Sequence, residues 1–279
     1  MSTEAKPLES ALAHKSEEKE ASAIGRILNP GVYVRVLSVL LVIGGWETLG
    51  LVGYISPAIF SYPSAIVIAF VELLLNGQMI KAANESFEIL IYGLIIAIPA
   101  GIVIGVLMGR FKLFEYVFDT YVYALYATPV VALAFPIAML IGVDEAGKTT
   151  IVVFFAIMPV IVNVFHGVRN VDPFLMEVTK SFCSTEWQRW RDLIFPSMIP
   201  YLVAGLGLSF GRSLVGMVVA EFLMSISGLG ALQQDYMGEL EMDKGLAPVV
   251  LLMIMGIVLT KLVKVWETRF SSWRTQREV

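Results

Sequence analysis

Apolar residues in this chain come in long runs and not in alternation. Six runs of roughly twenty residues stand near 34–53, 87–108, 118–141, 149–167, 198–223 and 246–266, and about twenty apolar residues cross a bilayer as helix. A seventh run, Ala65–Leu75, follows Pro63-Ser64 and ends at Asn76-Gly77. It is too short to span, which predicts a helix lying at the outer interface. Residues 1–24 are rich in Glu, Lys, Ser and Ala, with no Phe, Tyr or Trp. Such a segment buries too little apolar surface to offset its ordering, which predicts a disordered tail ahead of a membrane domain over 25–279. The other break in the pattern is a polar stretch over 168–197, between the fourth and fifth runs. It must lie outside the hydrocarbon.

Composition agrees with the pattern. The 279 residues are 57% hydrophobic and 16% charged, with mean hydropathy +0.76, whereas soluble domains carry about 25% charged residues. That excludes an ordinary soluble domain and predicts an all-α membrane protein. One cysteine, Cys183, excludes an internal disulfide, and two histidines leave no Cys/His metal cluster. No metal and no cofactor are expected. No apolar stretch opens the chain, so no cleavable signal peptide is predicted.

Charge placement tests the layout. With the N-terminus inside, the cytoplasmic segments hold sixteen of the twenty Lys and Arg residues, and the outer ones hold only Lys81, Lys148 and Lys244. The remaining one, Arg212, falls in the fifth run. This positive-inside bias predicts six spans with both termini cytoplasmic.

Within the spans, Gly101, Gly105 and Gly109 form two G-x-x-x-G steps and Gly207 with Gly211 another, a spacing that lets helix backbones approach in lipid. Pro99, Pro129, Pro136 and Pro159 predict kinks. Gly142–Thr149 spells the phosphate-loop pattern G-x-x-x-x-G-K-T, but it follows a membrane run instead of a strand and carries Asp144 and Glu145, so nucleotide binding is refused. Glu47, Arg212 and Glu221 are ionisable residues inside spans, each needing a partner or water. Arg212 and Glu221 are half a turn out of phase on one helix and cannot pair there. Arg212 shares a stripe with Gly205, Ser209 and Gly216, suited to a cavity or to a close helix contact. Its anion is then either Glu47 or Glu221 of a neighbouring element or a solute. No paired carboxylates, His cluster or Ser/His pair at catalytic spacing point to an intramembrane enzyme.

The polar stretch contains Glu177–Pro200, EVTKSFCSTEWQRWRDLIFPSMIP. Glu177, a small residue six positions on, and the apolar-proline pair Phe195-Pro196 resemble the cytoplasmic "EAA" loop of ABC importer permeases. With Ser61–Val67, Gly101–Arg110, Gly142–Lys148, Gly167–Pro173 and Gly211–Gly230 in order, the chain resembles the permease subunit of the nitrate/sulfonate/taurine/bicarbonate-type importers. The resemblance implies a six-helix type I importer fold in the bacterial inner membrane, a second permease copy, two cytoplasmic ATPase subunits and a periplasmic solute-binding protein. It implies no nucleic acid partner and no catalysis by this chain, and it makes a small, anionic solute the expected cargo. It assigns Glu177, Lys180, Cys183, Thr185 and Pro196 to coupling with the ATPase. Arg212, Ser209, Glu221, Thr128 and Pro129 are the candidate pathway residues. Trp190 and Arg191 are expected as headgroup anchors. Val178 and Thr179 stand where the family has two alanines, and Cys183 where it has the glycine of the turn. A stand-alone carrier or channel is the alternative, and a loop built for a partner speaks against it.

Overall fold

The computed structural model describes residues 30–271 apart from 55, 57, 58, 225 and 226, with side chains to 265. The tail expected over 1–24 lies outside the described residues. Two compact units are present, residues 1–65 and 66–279.

In the first unit, helix α1 (Pro30–Leu51) is apolar and exposed on nearly every side, as suits a helix surrounded by lipid. Its C-terminal end folds onto the following turn. Trp46 Nε1 donates to Ser61 O at 2.9 Å, the Trp46 and Phe60 rings lie 5.4 Å apart, and Gly50 leaves room for the Tyr62 ring. Pro63 opens α2 (Pro63–Leu75), where a missing N–H costs nothing. Glu47 then accepts from Ser64 N at 3.0 Å and Ser64 Oγ at 2.7 Å. This intramembrane carboxylate therefore caps a helix N-terminus, where negative charge is favoured.

The second unit is built on three helices: α3 (Gln78–Arg110), α6 (Glu145–Arg169) and α9 (Phe195–Met224). Gly93, Gly101, Gly105 and Gly109 of α3 lie against Val152, Val160, Val164 and Val168 of α6, so closely that a Cβ on any of these glycines would fall under 3.0 Å from its valine. Both helices advance together along this seam, so they run parallel. On its other side α6 meets α9 in antiparallel sense: Gly216 against Phe155, Gly205 against Asn163, and Gly167 against Met198 and Tyr201. In lipid such close approach is what holds helices together. Gly105→Ala is therefore expected to lower stability by about 1–3 kcal/mol, because its new Cβ would stand 2.8 Å from the Ile161 backbone oxygen. Thermal unfolding in detergent would read this. Gly211→Ala, with nothing within 4 Å, is the control and is expected to be neutral or slightly stabilising.

Around this layer stand α4 (Lys112–Ala127), α5 (Val130–Ile141), α10 (Leu229–Gly238) and α11 (Met242–Ser271). The α2 residues Ala69 and Leu73 join Leu90, Ala97, Val152, Ala156, Met217 and Leu229 in the largest buried cluster. Among the described residues five helices are long and apolar enough to cross a membrane, and a sixth span is counted if α4 and α5 are one bent pair. In the run expected over 118–141 the kink foreseen at Pro129 is a full break, since the two halves meet at 105°. Thr128 is extended, at φ −70° and ψ 135°, as expected of a residue preceding proline, and Pro129 has no N–H with which to continue the ladder. Pro99, Pro136 and Pro159 stay within helices.

Candidate functional site

The polar stretch folds into a helix–turn–helix. Asp172 Oδ1 accepts from Phe174 N at 2.8 Å and Pro173 occupies the first turn, starting α7 (Pro173–Ser181). The helix ends with Cys183 N donating to Lys180 O at 2.9 Å and Ser184 N to Thr179 O at 3.0 Å. This is the bonding of a Schellman motif, whose turn residue must be left-handed, and Cys183 has φ +52°. The strain foreseen where the family has glycine is therefore present, and the turn forms regardless. Cys183→Gly is expected to raise stability by about 1 kcal/mol, visible as a higher unfolding midpoint. An unchanged or lower midpoint would mean that the turn does not resist cysteine.

One residue further, Thr185 and Gln188 form a capping box, with Gln188 Oε1 accepting from Thr185 N at 2.8 Å and Thr185 Oγ1 from Gln188 N at 3.3 Å. It starts α8 (Glu186–Arg189), which runs through a π-helical turn at Trp190–Ile194 into α9. The wide turn ends where Pro196 needs it, since a proline ring clashes with the carbonyl four residues back in a regular helix. Thr185 and Pro196 thus shape the module, while Glu177, Lys180 and Cys183 are exposed on it.

Ion pairs brace the module at this end of the bundle. Glu186 meets Arg110 at 3.2 Å and Arg189 at 2.8 Å, and Arg169 pairs with Glu115. Phe174, Phe182 and Trp187 are left largely exposed, Phe182 at 80%. Exposed bulky apolar side chains on a polar loop are of the kind that mark interaction sites. Trp190 is half-buried and packs on the cluster that includes Val171, Ile194 and Met198. Arg191 remains exposed beside Asp192.

A second polar assembly lies at the opposite end of the three-helix layer. Glu221 is fully buried on α9; its Oε1 accepts from Ser86 Oγ at 2.6 Å and its Oε2 from Gly230 N at 2.7 Å. Ser86 Oγ in turn accepts from Leu229 N at 2.8 Å, and Glu85 accepts from Gly228 N at 3.1 Å. Gly228 has φ +101°, and a Cβ there would stand 2.1 Å from Glu221 Oε1. Lys148 Nζ donates to Ser227 O and Oγ at 2.9 and 2.8 Å. The carboxylate thus ties α3 and α9 to the first turn of α10. Sequence reading missed the assembly. Lys148, counted there as an outer-loop charge, is a helix residue with 1% exposure. Its position also disposes of the phosphate-loop spelling: Asp144 caps α6 through Gly147 N, and the lysine is committed to Ser227.

The pathway candidates lie in different settings. Ser209 Oγ donates to Ala156 O at 2.8 Å in the buried α6–α9 seam, so the small-residue stripe makes a close helix contact. Thr128 Oγ1 donates to Ala124 O at 2.7 Å in the break, where Pro129 is exposed. Within its own unit Arg212 does not pair with Glu221; its guanidinium lies over the Tyr126 ring, 4.4 Å from the centroid. Tyr126, a residue of α4, was not anticipated. Among the described residues no cluster of His, Cys, Asp and Glu suited to a metal is found.

Membrane-length helices packed by glycine, with a polar interhelical module that leaves bulky apolar side chains exposed, define a multi-pass membrane protein. The comparisons give the family: residues 97–275 match the model of the binding-protein-dependent transport system inner membrane component, and the chain belongs to that family. It is a multi-pass permease subunit of an ABC importer. It is 29% identical over 238 residues to a putative aliphatic sulfonates transport permease of Bacillus subtilis, covering 85% of this chain and 86% of the relative. A formylaminopyrimidine transport permease of Halalkalibacterium halodurans is 24% identical, covering 90% and 97%. Among solved structures, that of an amino acid ABC transporter with histidines shares the fold at TM-score 0.62 and 17% identity, covering 72% of this chain and 98% of that one.

Proposed function

We propose that two copies of this chain form the pathway of an ATP-driven importer for a small organic anion of the sulfonate class. The termini are cytoplasmic, two ATPase subunits dock on the α7–α8 module, and a periplasmic binding protein delivers the solute. The carrying observation is that module, a braced helix–turn–helix with Phe174, Phe182 and Trp187 left bare. The sulfonate class is supported by the relative of Bacillus subtilis and by a guanidinium in the middle of α9. Co-expression with the ATPase and binding protein of its gene neighbourhood, in a strain lacking its own sulfonate permease, is expected to restore growth on ethanesulfonate as sole sulfur source. Uptake without any ATPase would favour a stand-alone carrier instead. For topology, single cysteines at Gln78 and Asp243 in a Cys183→Ser background are expected to react with an impermeant thiol reagent added outside. One at Gln276 is not, and its labelling in intact cells would overturn the orientation.

A further inference from the structure

Arg212 occupies the middle of α9, about 25 Å from Phe195 and about 18 Å from Met224 along the axis, too far from either end for its charge to reach lipid headgroups. A guanidinium stays ionised under all conditions, and its placement at membrane depth costs at least ~2.5 kcal/mol unless an anion or water compensates. Among the described residues of its own unit no carboxylate pairs with it: Glu221 holds Ser86 and Gly230. Its recorded partner is the face of Tyr126. A ring face engages the positive charge but accepts none of the five N–H donors in line, so the donor fork is held in place and its edge stays open. Tyr126 itself is half-buried at the last turn of α4, just before the break at Thr128-Pro129. One turn earlier, the Tyr123 hydroxyl meets His166 Nε2 at 3.1 Å. Arg212, Tyr126, Tyr123 and His166 thus bring polar and aromatic groups from three helices to the partly exposed side of the bend. Such groups at membrane depth line water-filled space or an assembly interface and avoid lipid.

We infer that Arg212, set over the face of the Tyr126 ring, is the anion-reading subsite of the solute pathway and takes the oxyanion head of a sulfonate or carboxylate through its free N–H donors. Tyr126 is a positioning residue: it supports the guanidinium and does not itself bind the head group. This rests on the anionic-solute reading proposed above.

The test uses the full transporter, permease with ATPase and binding protein, in proteoliposomes, with ethanesulfonate, butyrate and a neutral formylaminopyrimidine as probes. Arg212→Gln is expected to assemble and to lower anion uptake at least tenfold. Tyr126→Leu is expected to raise the KM for the anion several-fold, and Tyr126→Phe, which keeps the ring face, to restore it. Arg212→Cys in a Cys183→Gly background, compared with that background alone, should regain uptake with a cationic aminoethyl thiosulfonate reagent. It should not regain uptake with the anionic sulfonatoethyl one. Wild-type anion uptake that Arg212→Gln leaves undiminished would overturn the subsite and leave the proposed function standing. Wild-type uptake of the neutral probe alone would overturn both. If Arg212→Gln fails to assemble, Arg212→Lys decides: assembly with a raised KM for anions supports the subsite, whereas failed assembly or an unchanged KM overturns it.

Discussion

Glu221→Ala is expected to destabilise the subunit by on the order of 4 kcal/mol, combining lost charge-assisted hydrogen bonds with a new cavity. The carboxylate satisfies Ser86 Oγ and Gly230 N at once, in a site with no solvent exposure. Removing it leaves both donors without their acceptor and cuts the ties of α9 to α3 and to the first turn of α10. Glu221→Gln keeps the volume, but its amide nitrogen would face one of two donors, so a smaller loss of about 2 kcal/mol is expected. Thermal unfolding in detergent and the yield of folded permease should rank wild type above Gln and Gln above Ala. Equal midpoints for all three would sink the idea that this carboxylate holds the end of the bundle together.

A different kind of loss is expected from Glu177→Ala. Glu177 is exposed on α7, and its backbone oxygen, not its carboxylate, accepts from Ser181 Oγ at 3.1 Å. Stability should therefore stay within about 0.5 kcal/mol of wild type. Uptake is nonetheless expected to fall at least tenfold, because the loop's resemblance assigns this acid to the contact with the ATPase. Co-purification of the ATPase with the permease, measured alongside uptake, separates the two properties. Full uptake with full ATPase recovery would remove Glu177 from coupling.

The two variants divide along a line that also divides what was legible in advance. Glu177 lies in an exposed loop whose pattern is local, so its placement on a short polar helix could be read from neighbouring residues. The Cys183 turn was legible through the resemblance of the loop. The resemblance puts a glycine at this turn between two short helices, so cysteine was recognised as strained there. By contrast, the Glu221 assembly draws Ser86, Gly228 and Gly230 from separate stretches, and nothing local to any of them announces the others.

Local and additive signals were thus within reach of the chain's order of residues. Hydrophobic run length predicted membrane helices because hydrocarbon requires every backbone group to bond within its own segment. The glycine spacing announced close packing along one face of α3, because the helical repeat sets which side chains share a face. Which helix that face would meet, and in which direction, was decided only by folding: the valine row of α6 turned out to run parallel to it. The third span illustrates the same limit. Pro129 announced a kink, but four prolines carry that signal alike, and only packing made one of them a 105° break while the others stayed within their helices. Charge pairing was the least legible of all. A carboxylate or guanidinium at membrane depth must find a partner, but which partner depends on the meeting of helices distant in sequence. Tertiary structure alone sent Glu47 to Ser64, Glu221 to Ser86 and Gly230, and Arg212 to the ring of Tyr126.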